Sequence, residues 1–206
     1  MEHNILENLF GSVPRARILR LFMRNPEERF RFEALVSRSQ VRPAAARAEL
    51  KKLIRFGMVL QSRDRVTGRK KRKGKPIFLA IPVYQANNDF VAFRELRDLI
   101  GRASAAPRKE LLRRLNGVGR IKLAVLSGVF INNGDHSRTD LLIVGDNLNK
   151  RKFSSFLAHT ESELGKAVQH TIMDTDEFQY RTNMSDRFLR DILEYPHEKL
   201  INKLNL

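Results

Sequence analysis

Between Val13 and Asn25, apolar Ile18, Leu19 and Phe22 recur at helical spacing, and Arg15, Arg17, Arg20 and Arg24 fall between them. That pattern predicts an amphipathic helix with its arginines in water. Ser12 stands before it, Pro14 lies in its first turn, and Asn25-Pro26 ends it. A short extended piece around Phe30 leads into a second helix, Phe32 to Ser39, with Phe32, Leu35 and Val36 as its apolar stripe. Pro43 opens a third helix, where its fixed φ suits the first turn. Ala46, Leu50, Leu53 and Ile54 share one face of that helix, and Gly57 closes it. Met58 to Arg63 reads as a strand, followed by a turn on Thr67 and Gly68 and a second apolar strand from Ile77 to Ile81. Pro82 and the polar residues Gln85 to Asn88 are expected to stop that strand. Asn88 would then cap a helix from Asp89 to about Ile100, with Phe90, Phe93, Leu96, Leu99 and Ile100 inward.

Charge changes the picture. The chain of 206 residues carries +16, a basic excess that favours a polyanionic partner. Residues 1–106 hold 23 Lys and Arg against 10 Asp and Glu, giving +13, whereas residues 107–206 hold 16 against 13, giving +3. Much of the excess sits between the two strands: Arg69, Lys70, Lys71, Arg72 and Lys73 in succession, flanked by Arg63, Arg65 and Lys75. Five consecutive cations repel one another unless a polyanion is near. A helix pair with a tight turn, a two-stranded ribbon with a basic tip, and a third strand from the piece around Phe30 have the layout of a winged helix-turn-helix. The outer face of the third helix shows Ala44, Ala45, Ala48, Lys51, Lys52 and Arg55. Base reading would rest on Arg42, Arg47 and alanine contacts to thymine methyls, so backbone affinity should exceed sequence discrimination.

The breaker-rich stretch from Gly101 to Pro107, GRASAAP, marks the domain boundary. Beyond it, helix and strand signals alternate: a helix over Arg108 to Leu115, strands over Ile121 to Leu126 and Asp140 to Val144, and a polar loop, NNGDHSR, between those strands. A helix from Lys150 to Leu164 precedes a strand-like Ala167 to Met173. Short helices follow over Thr175 to Arg181 and Asp186 to Leu193, with a last apolar pattern at Leu200, Ile201 and Leu204. The expected class is α+β, with a small mixed sheet covered by helices in the second half.

Those strands carry a resemblance. IKLAVLSG, TDLLIVGD, the helix ending SELGK, AVQHTIM and DEFQYR together resemble the minimal nucleotidyltransferase domains of the DNA polymerase β superfamily. The whole chain looks like prokaryotic regulators in which a winged helix, here GSVPRARILRLFMRNPEERF and the helix pair, is fused to such a domain. The resemblance implies a Gly-Ser pair that holds phosphates and an Asp-x-Asp that holds two Mg²⁺ ions. Gly128 matches the glycine, but Val129 stands at the serine position; Asp140 matches the second aspartate, but Arg138 stands at the first. A cation where the metal needs an anion, and one carboxylate in place of two, imply a degenerate domain kept for shape, dimerisation or ligand sensing. Asp135 matches no motif position, and Asp146 lies beyond the far end of a strand, so neither substitutes for the missing aspartate.

Other chemistry is sparse. The absence of cysteine excludes disulfides and thiol catalysis, and His3, His136, His159, His170 and His197 show no metal-ligand spacing, although His136 lies in the loop that would border the former active site. No cofactor is implied. No run approaches the length of a membrane span, and the start carries no basic segment before an apolar run, which leads us to expect a cytoplasmic protein. The expected function is a transcriptional regulator that binds double-stranded DNA, not an enzyme, with a homodimer or a small protein partner served by the second domain. An active nucleotidyltransferase, an antitoxin-like component, and structured RNA as the polyanion remain open alternatives.

Overall fold

The computed structural model describes residues 5–67, 78–103, 108–131 and 139–204, which form an α+β protein with two compact units, Met1–Ser104 and Ala105–Leu206. No described helix is long and apolar enough to cross a membrane. The first unit contains α1 (Ile5–Phe10), α2 (Val13–Arg24), α3 (Phe32–Ser39), α4 (Pro43–Arg55), α5 (Phe93–Ala103) and a small antiparallel sheet. The strands of that sheet, β1 (Phe30–Arg31), β2 (Val59–Thr67) and β3 (Phe78–Ala86), lie in the order β1-β3-β2, and α2, α3 and α4 pack on them.

α2 is the hub of this unit. Ser12 Oγ accepts from the Arg15 amide and so caps it, and α1, α3, α4, α5 and β3 all pack on it. Because α1 and α5 add cover that the amphipathic pattern did not foresee, Leu21 and Met23 are buried as well as Ile18, Leu19 and Phe22. Arg20, expected in water, is fully buried for the same reason. Phe22 meets Phe30 edge to face, with centroids 5.7 Å apart, which fixes β1 against α2.

Three expectations need correction here. β3 does not stop at Pro82 but runs to Ala86, with Pro82 opposite Arg63. β1 reaches only Val83, so from Pro82 outward β3 has β2 as its single strand neighbour among the described residues, and a missing N–H is tolerated there. Asn88 caps no helix: Asn87 Oδ1 accepts from the Asp89 amide in a turn, and α5 begins at Phe93. α5 continues through Gly101 to Ala103, Leu99 on it is exposed, and residues 104–107 lie outside the described ones.

The second unit contains α6 (Arg108–Leu115), β4 (Arg120–Leu126), a 3₁₀ turn (Gly128–Phe130), β5 (Leu141–Asp146), α7 (Lys150–Leu164), β6 (His170–Met173), α8 (Thr175–Asn183), α9 (Arg187–Glu194) and β7 (Glu198–Asn202). The mixed sheet has the order β6-β5-β4-β7, with β5 and β6 parallel and the other pairs antiparallel. α7 supplies the crossover that a parallel pair needs. Leu123, Val125, Leu142 and Val144 face α8 and α9, whereas Ala124, Leu126, Leu141 and Ile143 face α6 and α7. A register shift between Ile121 and Leu123 moves Ile121 to the α6/α7 face. The pattern at Leu200, Ile201 and Leu204, which had suggested no particular element, includes β7, paired with β4.

Gly145 lies opposite Ile121, where an added Cβ would stand 2.5 Å from the Arg120 carbonyl oxygen and 2.9 Å from the Ile121 Cα. Backbone cannot move aside as a side chain can. Gly145→Ala should therefore cost about 1–3 kcal/mol and lower the thermal unfolding midpoint by several degrees. Gly101→Ala, in helix α5 with nothing closer than Arg24 Nη1 at 3.9 Å, should leave the midpoint unchanged or raise it slightly. Calorimetry of both variants checks the contrast.

Candidate nucleic-acid interface

α4 is presented by a tight turn after α3. Gln40 takes the left-handed conformation at φ 52°, Val41 is buried, and Pro43 occupies the first turn of α4. Arg17 Nη1 donates to the Gln40 carbonyl at 3.2 Å, which fastens the turn to α2. Ala46, Leu50 and Leu53 face the core, leaving Arg42, Ala44, Arg47, Ala48, Lys51, Lys52 and Arg55 exposed.

These cations are not equivalent. Glu49, the single carboxylate of α4, is buried and receives Arg15 Nε at 2.8 Å and Lys52 Nζ at 2.9 Å. Burial alone would raise its pKa, but the hydrogen bonds and charges of Arg15 and Lys52 outweigh that and hold it below the usual carboxylate range. Lys52 is thus partly committed within the fold. The Arg47 guanidinium lies 4.7 Å from the centroid of the Phe32 ring, a stack that occupies its face and leaves its edge N–H groups free to donate. Arg42, Lys51 and Arg55 make no ion pair among the described residues.

The β2–β3 hairpin follows α4 directly in the chain. Val59 and Ala86 are paired and buried in the core, and no register shift interrupts the ladder out to Thr67 and Phe78. Side chains alternate along a strand, so Arg63 and Arg65 share the face on which Val59 meets the helices. Both are exposed. Asp64 points to the other face and pairs with Arg29 at 2.8 Å, away from the arginine face. The run Arg69, Lys70, Lys71, Arg72, Lys73 and Lys75 lies outside the described residues.

In the second unit the motif positions are held differently. Gly128 opens the 3₁₀ turn at φ 51°. Asp140 is buried, and its two carboxylate oxygens accept from the Val129 amide and the Gln169 amide, each at 2.9 Å. The carboxylate therefore ties the turn after β4 to the entry of β6. Ser127, just before Gly128, is buried with its hydroxyl donating to the Thr139 carbonyl. Asp146 sits at the far end of β5, bound to Thr175 and to Lys122 Nζ at 3.0 Å. The Lys122 hydrogen bond, then those from Thr175, hold its carboxyl below the ordinary range. Asp135, His136 and Arg138 lie outside the described residues, among which no three His, Cys, Asp or Glu side chains gather as a metal site.

Compared with known protein families, curated proteins and solved structures, the chain matches none.

The role of Glu49 was not read from sequence, although its i,i+3 spacing to Lys52 hinted at the local half of it; Arg15 lies 34 positions away. Glu49→Gln should destabilise the protein by about 1–3 kcal/mol near neutral pH, because Arg15 and Lys52 lose a charged acceptor. The sign with pH follows from the lowered folded pKa. The contribution is complete above the unfolded carboxyl's pKa, about 4.3, and is lost as pH falls through the lower folded value. Urea midpoints of wild type and Glu49→Gln should therefore converge on acidification and differ most near neutrality.

Proposed function

We propose that the chain is a DNA-binding transcriptional regulator. Its first unit acts as a winged helix-turn-helix, with α4 in the major groove and the β2–β3 hairpin as the wing along the backbone. The observation that carries this reading is the composition of the exposed faces of α4 and of the hairpin that follows it. Arg42, Lys51, Arg55, Arg63 and Arg65 are exposed beside the small residues Ala44 and Ala48, and the one carboxylate of α4 is buried. Cations interleaved with small side chains let a helix approach phosphates and thymine methyls closely. Duplex DNA is favoured over duplex RNA because the deep, narrow major groove of an A-form helix does not admit side chains.

The second unit is read as a nucleotidyltransferase-like domain without transfer activity, retained for dimerisation or for binding a ligand or partner. Val129 offers no hydroxyl to a phosphate, and both oxygens of Asp140 already hold backbone amides that fix the turn. Displacing those bonds to bind Mg²⁺ would loosen the strand ends they join. Incubation with labelled nucleoside triphosphates and Mg²⁺ or Mn²⁺ should give no transfer of label to protein or nucleic acid; metal-dependent transfer would contradict the reading.

Salt dependence tests the division of labour on DNA. Each phosphate contact contributes a slope of about −0.9 in log K against log salt, so replacing Arg63 and Arg65 with Gln should flatten the slope by up to about two units on any sequence. Arg42→Ala and Arg47→Ala should each change it by about one unit or less and cost about 1–3 kcal/mol on the preferred sequence alone. A slope unmoved by the hairpin variant would remove the wing from the interface.

A further inference from the structure

We propose that the hairpin does more than lie on phosphates: it carries Phe78 into the minor groove, where the ring wedges against the base stack and bends the duplex. The proposal rests on the DNA reading above. Phe78 is 64% exposed at the outermost described pair of the hairpin, opposite Thr67. Strand alternation places it on the face of Arg63 and Arg65, and Arg65, which pairs with Ala80, is its diagonal neighbour at roughly 7–8 Å. An aromatic ring is thereby set near Arg65, on the face that also carries Arg63, at the exposed outer end of the hairpin.

Phosphate contact uses cations and N–H or O–H donors and gains nothing from a ring held in water. A minor groove about 6 Å wide suits both, because its walls are phosphates and its floor is the base stack, against which an apolar wedge can unstack one step. A second copy of the chain fits the same face poorly. Self-association about a two-fold axis would bring Arg63 and Arg65 of both copies together, whereas a duplex supplies the complementary charge.

The test uses the full chain, an end-labelled duplex of about 30 base pairs for bend angle by energy transfer, and a 2-aminopurine duplex for unstacking. Wild type should bend the first and brighten the second. Phe78→Ala should abolish both signals and weaken binding about 5- to 100-fold, the range for loss of one base stack, with the salt slope unchanged. Phe78→Leu, still an apolar wedge, should keep most of the bend. An unaltered thermal midpoint is expected for both variants, since the ring is exposed. Wild type that binds DNA but leaves it straight and stacked, or Phe78→Ala that bends it equally, overturns the wedge and leaves the DNA reading standing. Failure of wild type to bind any duplex overturns both. A dimer in free solution that Phe78→Ala dissociates assigns the ring to a second copy and overturns the proposal.

Discussion

Glu49 is the only carboxylate on α4, and its burial against α2 holds two cations with it, Arg15 from α2 and Lys52 from the next turn. A buried carboxylate without such partners would cost several kcal/mol, so this contact constrains how α4 docks on the hub. Its consequence is electrostatic as well as structural. With the negative charge turned inward, the outer face of α4 presents only cations and small residues, and Arg17, bonded to the Gln40 carbonyl, fixes the turn that aims it.

The second unit uses a buried carboxylate in a comparable way for a different end. Asp140 joins the turn at Gly128–Phe130 to the start of β6 by accepting from two backbone amides, one on each side. On the proposed reading, a position that resembles a metal ligand in sequence has become a strut. Asp146 likewise anchors the start of α8 through Thr175. In both units acidic groups hold elements together, which leaves the basic excess of the first half to define its surface.

Much of the local structure was legible because it is local. The bounds of α3 and α6, the Pro43 start of α4 and the α7 span follow from periodicity and breakers within a few residues. What sequence concealed depends on distant cover. Arg20 is buried because α1 and α5 pack on α2, and β3 passes through Pro82 because β1 ends one residue short of it. β7 was hidden because Leu200 and Ile201 declare a strand only beside β4, some seventy-five positions earlier. Of the site, the exposed cations of α4 and of Arg63 and Arg65 were readable by composition. The Arg47–Phe32 stack and the Glu49 triad were not, since each needs the helices already docked.

On the proposed reading, α4 and the hairpin, not the second unit, meet the duplex. A photoreactive amino acid placed singly at Lys51, Arg63 and Lys152 in the full chain tests it most directly, because all three positions are exposed and only the first two lie on the proposed surface. Irradiation with duplex DNA should give crosslinks from positions 51 and 63 and none from 152. Crosslinks from 152 with none from 51 and 63 would contradict the claim.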